Sequence, residues 1–248
     1  TRSMTLGAIV YLWLVTTLLG LVAFPLVFTA AGRLRDRGWA ISKVIALVLV
    51  TYVSWLLSSL KVMPFGPASV GLGAGLVALA SAFFAWRNRA ELFAFLRGNR
   101  RLLFGLEGFF LAAFAVFLLI VALNPDINPD SERFMDYALL NGIDRTDYFP
   151  PTDPWLSGRT MNYYYYGYIM MAALHKLAVI PLPLFFNLAL ALVYALFTLT
   201  CFGMGLNLTG RAAYGWLAAF ALMFIGNLDG FLQIVRGRGT FQMALKDA

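Results

Sequence analysis

The sequence predicts an all-α fold, a polytopic membrane bundle of about seven transmembrane helices with one long external loop that carries a short amphipathic helix. Its 248 residues are 61% hydrophobic and only 12% charged, with a mean hydropathy of +0.77. A soluble domain needs a wetted outer surface and does not reach this composition. Seven apolar stretches approach the roughly 20 residues that span a bilayer, and no alternating pattern predicts a strand.

The seven predicted spans follow one another with one long interruption. They are Met4–Ala31, Ala40–Leu60, Ala68–Trp86, Leu102–Leu123, Tyr163–Ile180, Leu182–Leu206 and Ala212–Ile225. The fifth span is short and closes at Pro181 and Pro183, and the seventh ends in "IGNLDG", which can break a longer helix. We divide the chain into an N-terminal three-helix segment, residues 1–101, and a core, residues 102–248, and expect it to be part of a longer protein.

Basic residues in the short loops predict the orientation. Of the 19 Lys and Arg residues, 13 fall in loops on one face, among them Lys176 after the fifth span, where His175 also lies. Because cytoplasmic loops carry an excess of Lys and Arg, we predict a multi-pass plasma (inner) membrane protein with its N-terminus outside and its C-terminus in the cytoplasm. This bias also explains the basic pI of about 9.7. Membrane lipid is therefore the expected partner, and nucleic acid is not.

Acidic residues concentrate in the predicted external loop, residues 124–162. Seven of the twelve lie there: Asp126, Asp130, Glu132, Asp136, Asp144, Asp147 and Asp153. The stretch "SERFMDYALLNGI" has apolar residues at helical spacing with Ser131 as a potential N-cap, and predicts an amphipathic helix along the outer membrane surface. "DYFPPTDPWLSG" holds three prolines and a glycine, which favour a rigid, non-helical strap. A loop of this length is more often functional than idle.

Four consecutive tyrosines, Tyr163–Tyr166, follow the strap and would cover all sides of one helical turn. An aromatic belt at the membrane interface explains one or two of them. The others must face protein or a cavity, because a packed helix meets lipid on one side only. Further side chains converge on this stretch: Asp153, Trp155, Arg159 and Asn162. Aromatic rings beside fixed polar groups suit the binding of sugars and phosphates.

Several motifs, in this order, resemble the YYY-motif integral membrane proteins, a family filed as domain of unknown function 2298. They are "DRGWAISK", "SWLLSSL", "ERFMDYALLNGI", "FPPTDPWLSG", "NYYYYGY", "FNLALAL" and "GNLDG". The resemblance spans nearly the whole chain. That family is in turn similar in layout to the GT-C class of multi-pass glycosyltransferases, such as the aminoarabinose and protein-mannosyl transferases. The shared layout is an outgoing helix, a long external loop with acidic residues, and an aromatic-rich return.

The GT-C resemblance implies transfer of a sugar from a polyprenyl-phosphate donor at the non-cytoplasmic face. The family's acidic motif falls on Asp130 and Glu132, which Ser131 separates. A carboxylate would remove the proton of the acceptor hydroxyl or hold a divalent metal ion, whose ligands stay unknown. Glu132 is the first candidate base and Asp136, one helical turn away, is the second. The expected substrate-binding residues are Asp153, Trp155, Arg159, Asn162, Tyr163, Tyr164 and Tyr165, with Arg159 on the phosphate.

Two other function classes stay open. A non-catalytic subunit of a larger membrane complex would use small residues for close helix packing, as in "GLGAGLVALASA" from Gly71 to Ala82. A transporter would carry ionisable groups and broken helices near the bilayer centre, where this chain is almost entirely apolar. Among the remaining polar residues, Glu107 is expected to reach water or pair with an arginine of residues 97–101, and Asn187 to form a hydrogen bond between helices.

Overall fold

A computed structural model describes residues 2–129, 131–178 and 180–225, and within them the fold is helical. Its helices are α1 (Arg2–Ala30), α2 (Trp39–Ser59), α3 (Pro67–Arg87), α4 (Arg89–Gly98), α5 (Arg100–Leu123), α6 (Glu132–Asp144), α7 (Tyr166–Lys176), α8 (Leu182–Thr209) and α9 (Ala212–Phe220), which continues as a π-helical turn (Ala221–Ile225). The only β-type pairing among these residues is an isolated bridge between Thr152 and Thr160. The "GNLDG" motif and the basic residues after it lie outside the described residues.

Five of the described helices are long and apolar enough to cross a membrane. They are Thr5–Ala30 within α1, then α2, α3, α5 and α8. Their outward sides expose large apolar side chains such as Leu79, Phe104 and Leu123, as expected of surfaces that meet lipid rather than water. The predicted all-α polytopic bundle is therefore confirmed, with α4 and α6 as amphipathic additions and α9 as a shorter apolar helix.

The two ends of the bundle can be told apart by the contacts between connecting segments. At one end, Arg37 of the α1–α2 turn forms an ion pair with Glu91 of α4 at 2.7 Å, and Asp36 bonds Asn207 near the end of α8. At the other end, the α2–α3 turn meets the external loop, since the N–H of Phe65 donates to the carbonyl of Asp147 at 2.6 Å. We call these the basic end and the acidic end.

The fifth predicted span, Tyr163–Ile180, is not a crossing helix. Only α7 is helical there, and its 11 residues rise about 16 Å, roughly half of a hydrocarbon core of about 30 Å. The Tyr166 hydroxyl donates to the carbonyl of Val48 in the middle of α2, at 3.1 Å, while His175 at the other end of α7 packs on Phe185 at the start of α8. The Tyr166 ring itself packs on Trp55, one turn before the end of α2, so α7 lies at the acidic end without crossing the bundle.

Because α7 does not cross, α8 begins at the end where α5 finishes. The stacked rings of Phe117 and Tyr194, and the contact of Phe109 with Phe202, show α5 and α8 running antiparallel side by side. His175 and Lys176 accordingly lie at the acidic end, bonded to Asp144, and their predicted placement at the cytoplasmic end is wrong if the basic end is cytoplasmic. The predicted cytoplasmic C-terminus counted this stretch as a crossing and stays a prediction.

The difference in basic charge between the two ends survives this correction. Ten described Lys and Arg residues lie at the basic end: Arg33, Arg35, Arg37, Lys43, Arg87, Arg89, Arg97, Arg100, Arg101 and Arg211. Six lie at the acidic end: Arg2 at the start of α1, and Lys61, Arg133, Arg145, Arg159 and Lys176. The predicted orientation rests on this asymmetry and stays a prediction.

Two buried charged residues at the basic end, Asp36 and Lys43, have partners. Asp36, fully buried, accepts the N–H groups of Gly38 and Ala40 at 2.9 Å each, and so caps the start of α2. Lys43, with 2% of its side chain exposed, reaches Glu107 of α5 at 2.5 Å. Glu107 therefore pairs with a lysine of α2 rather than with an arginine of residues 97–101, because both helices bury these positions against each other.

Candidate functional site

The predicted amphipathic helix of the external loop is present as α6. Its inner side buries Leu139, Leu140 and Ile143, which hold it against the bundle through the hydrophobic effect. Ser131 stands at the N-cap position, but its hydroxyl donates to the carbonyl of Asn128 instead of capping α6. Packing therefore fixes the position of α6, and its polar residues lie at the acidic end of the bundle, beside α7 and α8.

Asp136 is the carboxylate of α6 that meets α7. The Tyr168 hydroxyl donates to its Oδ1 at 2.5 Å. Burial, followed by the hydrogen bond and charge of Asp136, raises the pKa of Tyr168, so the phenol stays protonated and keeps donating. The bond therefore fixes the orientation of the carboxylate and leaves its second oxygen for another proton or ligand.

Asp136 and Tyr168 line a groove of about 360 Å³ between α6, α7 and α8. Its other walls are mostly apolar, among them Met171, Phe186 and Val193. A groove with apolar walls and a few polar groups is the usual form of a site for a small or amphipathic ligand. We name it the acid groove.

The four tyrosines do not form one helical turn, which corrects the predicted arrangement. α7 begins only at Tyr166, because the preceding chain is held extended: the N–H of Met161 donates to the carbonyl of Pro151 at 2.8 Å. Tyr163, Tyr164 and Tyr165 therefore precede the helix. Tyr163 and Tyr164 contact each other edge-on, with ring centroids 5.7 Å apart.

These tyrosines line a second cavity of about 400 Å³, which we name the tyrosine pocket. Its walls are Trp55, Tyr163, Tyr164, Tyr165, Tyr166 and Gly167. Tyr164 is 91% exposed and Tyr163 49% exposed, so their rings are free to contact a ligand or lipid. Non-helical backbone within a membrane protein is tolerated where it lines a cavity, as it does here.

Gly167 lines both cavities. A Cβ atom at this position would meet no atom within 4 Å, so the space directly beside the first turn of α7 is open. No side chain caps this helix start, and uncapped N–H groups at a helix N-terminus favour an anion. The acid groove and the tyrosine pocket are thus two cavities that share Gly167 as a wall.

The other predicted binding residues lie on the strap or just after it. Asp153 accepts the N–H groups of Trp155 and Leu156 at 2.8 and 2.9 Å, so its carboxylate closes a local turn. Trp155, Arg159 and Asn162 are exposed. The guanidinium of Arg159 forms no hydrogen bond or ion pair with any residue that the structure describes. The strap itself is non-helical, as predicted.

The predicted catalytic acids are separated in their surroundings. Glu132 is exposed on α6 and has no hydrogen bond with a described residue, whereas Asp136 is partly buried in the groove. Asp130 lies outside the described residues. No group of three or more His, Cys, Asp or Glu side chains able to hold a metal ion occurs among residues 2–129, 131–178 and 180–225.

Sequence reasoning missed Arg133 as part of this region. Its guanidinium donates to the Asn187 side chain of α8 and to the carbonyl of Asn124 after α5. Asn187 also donates to the carbonyl of Pro125 at 3.0 Å, so the predicted interhelical hydrogen bond of Asn187 is confirmed. The Nε of Arg133 is buried without a partner among the described residues. Its position one turn before Asp136 in the sequence was the available signal.

The family comparison agrees with this membrane architecture. The profile of the family described as "Uncharacterized membrane protein (DUF2298)" matches residues 49–247. The chain belongs to the DUF2298 family. Comparisons with curated proteins and with solved structures found no match. The matched range of this DUF2298 chain includes α6, α7, α8 and both cavities, and the resemblance read from the motifs is thereby confirmed at the level of the family.

Proposed function

We propose that the chain transfers a sugar from a lipid-phosphate donor at the acidic end, as a GT-C-like integral membrane glycosyltransferase. The observation that carries the proposal is the Asp136 carboxylate, oriented by Tyr168 at 2.5 Å in an apolar groove that adjoins an aromatic pocket. The excess of Lys and Arg at the opposite end supports a non-cytoplasmic acidic end. Sugars carried on lipid phosphates are presented to such enzymes from within the bilayer.

The two cavities match the parts of a polyprenyl-phosphate sugar. The apolar walls of the acid groove, such as Phe186 and Val193, suit the prenyl chain. The uncapped start of α7 beside Gly167 suits the phosphate, as half-helix N-termini do for anionic substrates in other membrane proteins. The rings of Tyr163, Tyr164 and Trp55 suit the face of a sugar.

The proposed reaction is a displacement at the anomeric carbon. The oxygen of an acceptor hydroxyl forms a bond to that carbon, the bond from carbon to the phosphate oxygen breaks, and the lipid phosphate leaves with the electron pair. Asp136 takes the proton of the acceptor hydroxyl. The positive charge of Arg133 and the N–H groups of the α7 start stabilise the leaving phosphate.

Replacement of Asp136 by Asn tests this assignment. We expect the turnover of sugar transfer from polyprenyl-phosphate donors, measured on the full-length protein in proteoliposomes, to fall by about 100-fold or more, which is the lower range for loss of a general base. Glu132→Gln is the matched control, since it removes an exposed carboxylate from the same helix, and its turnover should stay near that of the wild type. Equal activity of wild type and Asp136→Asn would overturn the assignment.

The junction at Gly167 gives an independent test of the donor site. Leu fits the open space there and would separate the acid groove from the tyrosine pocket, so we expect the KM for the lipid-linked donor to rise by about 10-fold or more, the cost of about 1.4 kcal/mol of lost binding. Gly105→Leu, on the exposed side of α5 with equally open space, is the control. An unchanged KM in Gly167→Leu would show that the donor does not bridge the two cavities.

The uncapped start of α7 beside the two cavities also favours a second candidate function, the transport of an anionic solute. Helix N-termini that face the bound anion are typical of secondary transporters. Uptake of a labelled anion into proteoliposomes, lost in Gly167→Leu and unaffected in Asp136→Asn, would select transport over sugar transfer.

A further inference from the structure

The basic end carries a cavity that the proposed function does not use. It has a volume of about 820 Å³ and lies between the last two turns of α1 and the first turns of α2. Leu26, Val27, Ala30, Ile41 and Ile45 form its apolar walls, and Arg33 of the connecting turn lies at its edge. We name it the α1–α2 crevice. Its volume falls within the range of about 300–1,000 Å³ usual for ligand sites.

The part of α1 that lines the crevice is tied to α3. Pro25 lies inside α1 and has no N–H to donate, which interrupts the helix ladder at this point. The N–H of Leu26 instead donates to the Ser81 hydroxyl of α3 at 3.2 Å, and Thr29 accepts a hydrogen bond from Asn88 after α3 at 2.9 Å. The last turns of α1 are thus held against α3, while Ala30 in the wall of the crevice stays exposed.

Arg33 differs from its basic neighbour on the same turn. Arg37 is used internally: it forms the ion pair with Glu91 and lies over the Phe28 ring at 4.9 Å. Arg33 is exposed and forms no hydrogen bond or ion pair with any residue that the structure describes. A free guanidinium at the edge of an apolar crevice combines a charge for a headgroup with a surface for an acyl chain.

The charge around the crevice has one sign. Three acidic residues are described at this end. Asp36 caps the start of α2, and Glu107 forms an ion pair with Lys43. The third, Glu91, is held by Arg37. The basic end therefore offers uncompensated positive charge at the level of the lipid headgroups, where basic pockets between helices bind anionic lipid headgroups.

We propose that the α1–α2 crevice binds an anionic phospholipid, with the Arg33 guanidinium on the headgroup phosphate and one acyl chain against Ala30, Ile41 and Ile45. The ligand is a structural lipid of the leaflet at the basic end, on the opposite side of the bundle from the acid groove. This site is independent of the proposed sugar transfer, because none of its residues lines the acid groove or the tyrosine pocket.

Native mass spectrometry of the full-length protein, titrated with dioleoyl-phosphatidylglycerol or dioleoyl-phosphatidylcholine, tests the proposal. The wild type should bind phosphatidylglycerol more tightly than phosphatidylcholine. Arg33→Gln should weaken phosphatidylglycerol binding by about 5-fold, the equivalent of about 1 kcal/mol for one basic side chain at an anionic surface. Arg97→Gln, which removes an exposed charge of α4 at the same end, is the matched control and should leave the affinity unchanged.

A second variant tests the crevice itself without changing charge. Ala30 is exposed on α1, so Ala30→Phe can fill the crevice without entering the core, and it should weaken the binding of phosphatidylglycerol. Thermal unfolding followed by circular dichroism confirms that each variant is folded. Equal effects of Arg33→Gln and Arg97→Gln, equal binding of the two lipids by the wild type, or unchanged binding in Ala30→Phe would each overturn the proposal. Displacement of the lipid by a copurifying protein subunit would also overturn it.

Discussion

Buried polar groups are treated differently at the two ends of this bundle. At the basic end, Asp36 and Lys43 are almost wholly buried, and their partners Asn207 and Glu107 come from α8 and α5. At the acidic end, Asp136 is only partly buried and faces a groove with a single tyrosine partner. Pairing with charged or polar partners of other helices, away from any described cavity, indicates a structural role, whereas partial pairing at a cavity leaves capacity for a ligand.

The number of acidic residues in a segment does not by itself identify the carboxylate of a functional site. The external loop is the most acidic part of the sequence, yet most of its carboxylates act locally or face water: Asp153 closes a turn, and Asp144 pairs with His175. The three acids of the basic end are all engaged in pairs or caps. Only Asp136 among the described acids of the acidic end is both held and open to a cavity.

The largest expected effect is on stability at the basic end. Lys43→Ala leaves Glu107 without its charged partner, where one carboxylate oxygen is already buried and unbonded among the described residues. We expect the free energy of unfolding to fall by about 3 kcal/mol, the low end of the cost of breaking a buried ion pair. Denaturation with sodium dodecyl sulfate, followed by circular dichroism, measures it.

The control for Lys43 is a double replacement. Lys43→Met with Glu107→Gln removes both charges and keeps an acceptor for the Trp39 indole N–H, which bonds Glu107 at 2.7 Å in the wild type. This pair should recover most of the lost stability. If Lys43→Ala costs no more than Arg101→Ala, an exposed basic residue, the ion pair has no structural role and the contrast between the ends fails.

A smaller effect, dependent on pH, is expected at the acidic end. His175 donates from Nδ1 to Asp144 and from Nε2 to the carbonyl of Ile180, both at 2.9 Å, an arrangement that requires the doubly protonated ring. Burial alone would lower the pKa of His175, but these two hydrogen bonds outweigh it and raise the pKa. Burial alone would raise the pKa of Asp144, but His175 and then Lys176 hold it below its ordinary value.

The raised pKa of His175 and the lowered pKa of Asp144 determine how the stability of the fold depends on pH. The raised pKa of His175 adds stability that is full below its ordinary value of 6.5 and is lost as pH rises through the folded value. The lowered pKa of Asp144 adds stability that is present above 3.8 and lost as pH falls. The loss of stability in His175→Gln should therefore be about 1 kcal/mol near pH 5.5 and shrink at pH 9. A loss that is equal at both pH values would show that the ring is not charged in the fold.

The sequence predicted the long helices well because their length and apolar composition are local properties. α6 was predicted from the spacing of residues such as Leu140 and the acids of its first turn, and Asn187 from its place in an apolar run. The half-length of α7 could not be predicted, since its apolar run resembles that of a short span. What ends the crossing is tertiary: the strap pairing at Met161 and the contact of Tyr166 with Val48.

The hydrogen-bond partners of Asp136 and Arg133 could not be predicted from the sequence for the same reason. Tyr168 lies 32 residues from Asp136, and Asn187 lies 54 residues from Arg133, so no spacing rule joins them. The sequence placed Glu132 before Asp136 because the acidic motif of the resembling family falls nearest to it. The fold instead turns Asp136 toward α7 and leaves Glu132 exposed, which only the packing of α6 decides.

The smallest effect on stability is expected at Asp153, and it distinguishes a role in the turn of the strap from a role in substrate binding. Asp153→Ala removes two hydrogen bonds to the N–H groups of Trp155 and Leu156. Because this turn is exposed to solvent, we expect a loss of about 0.5 kcal/mol in the free energy of unfolding, at the low end for such bonds. Asp153→Asn keeps an acceptor oxygen for the turn and should retain that stability. If Asp153→Asn also retains full sugar transfer, the carboxylate serves the turn alone; a KM that rises at unchanged stability would instead return Asp153 to the substrate site and extend that site from the two cavities onto the strap.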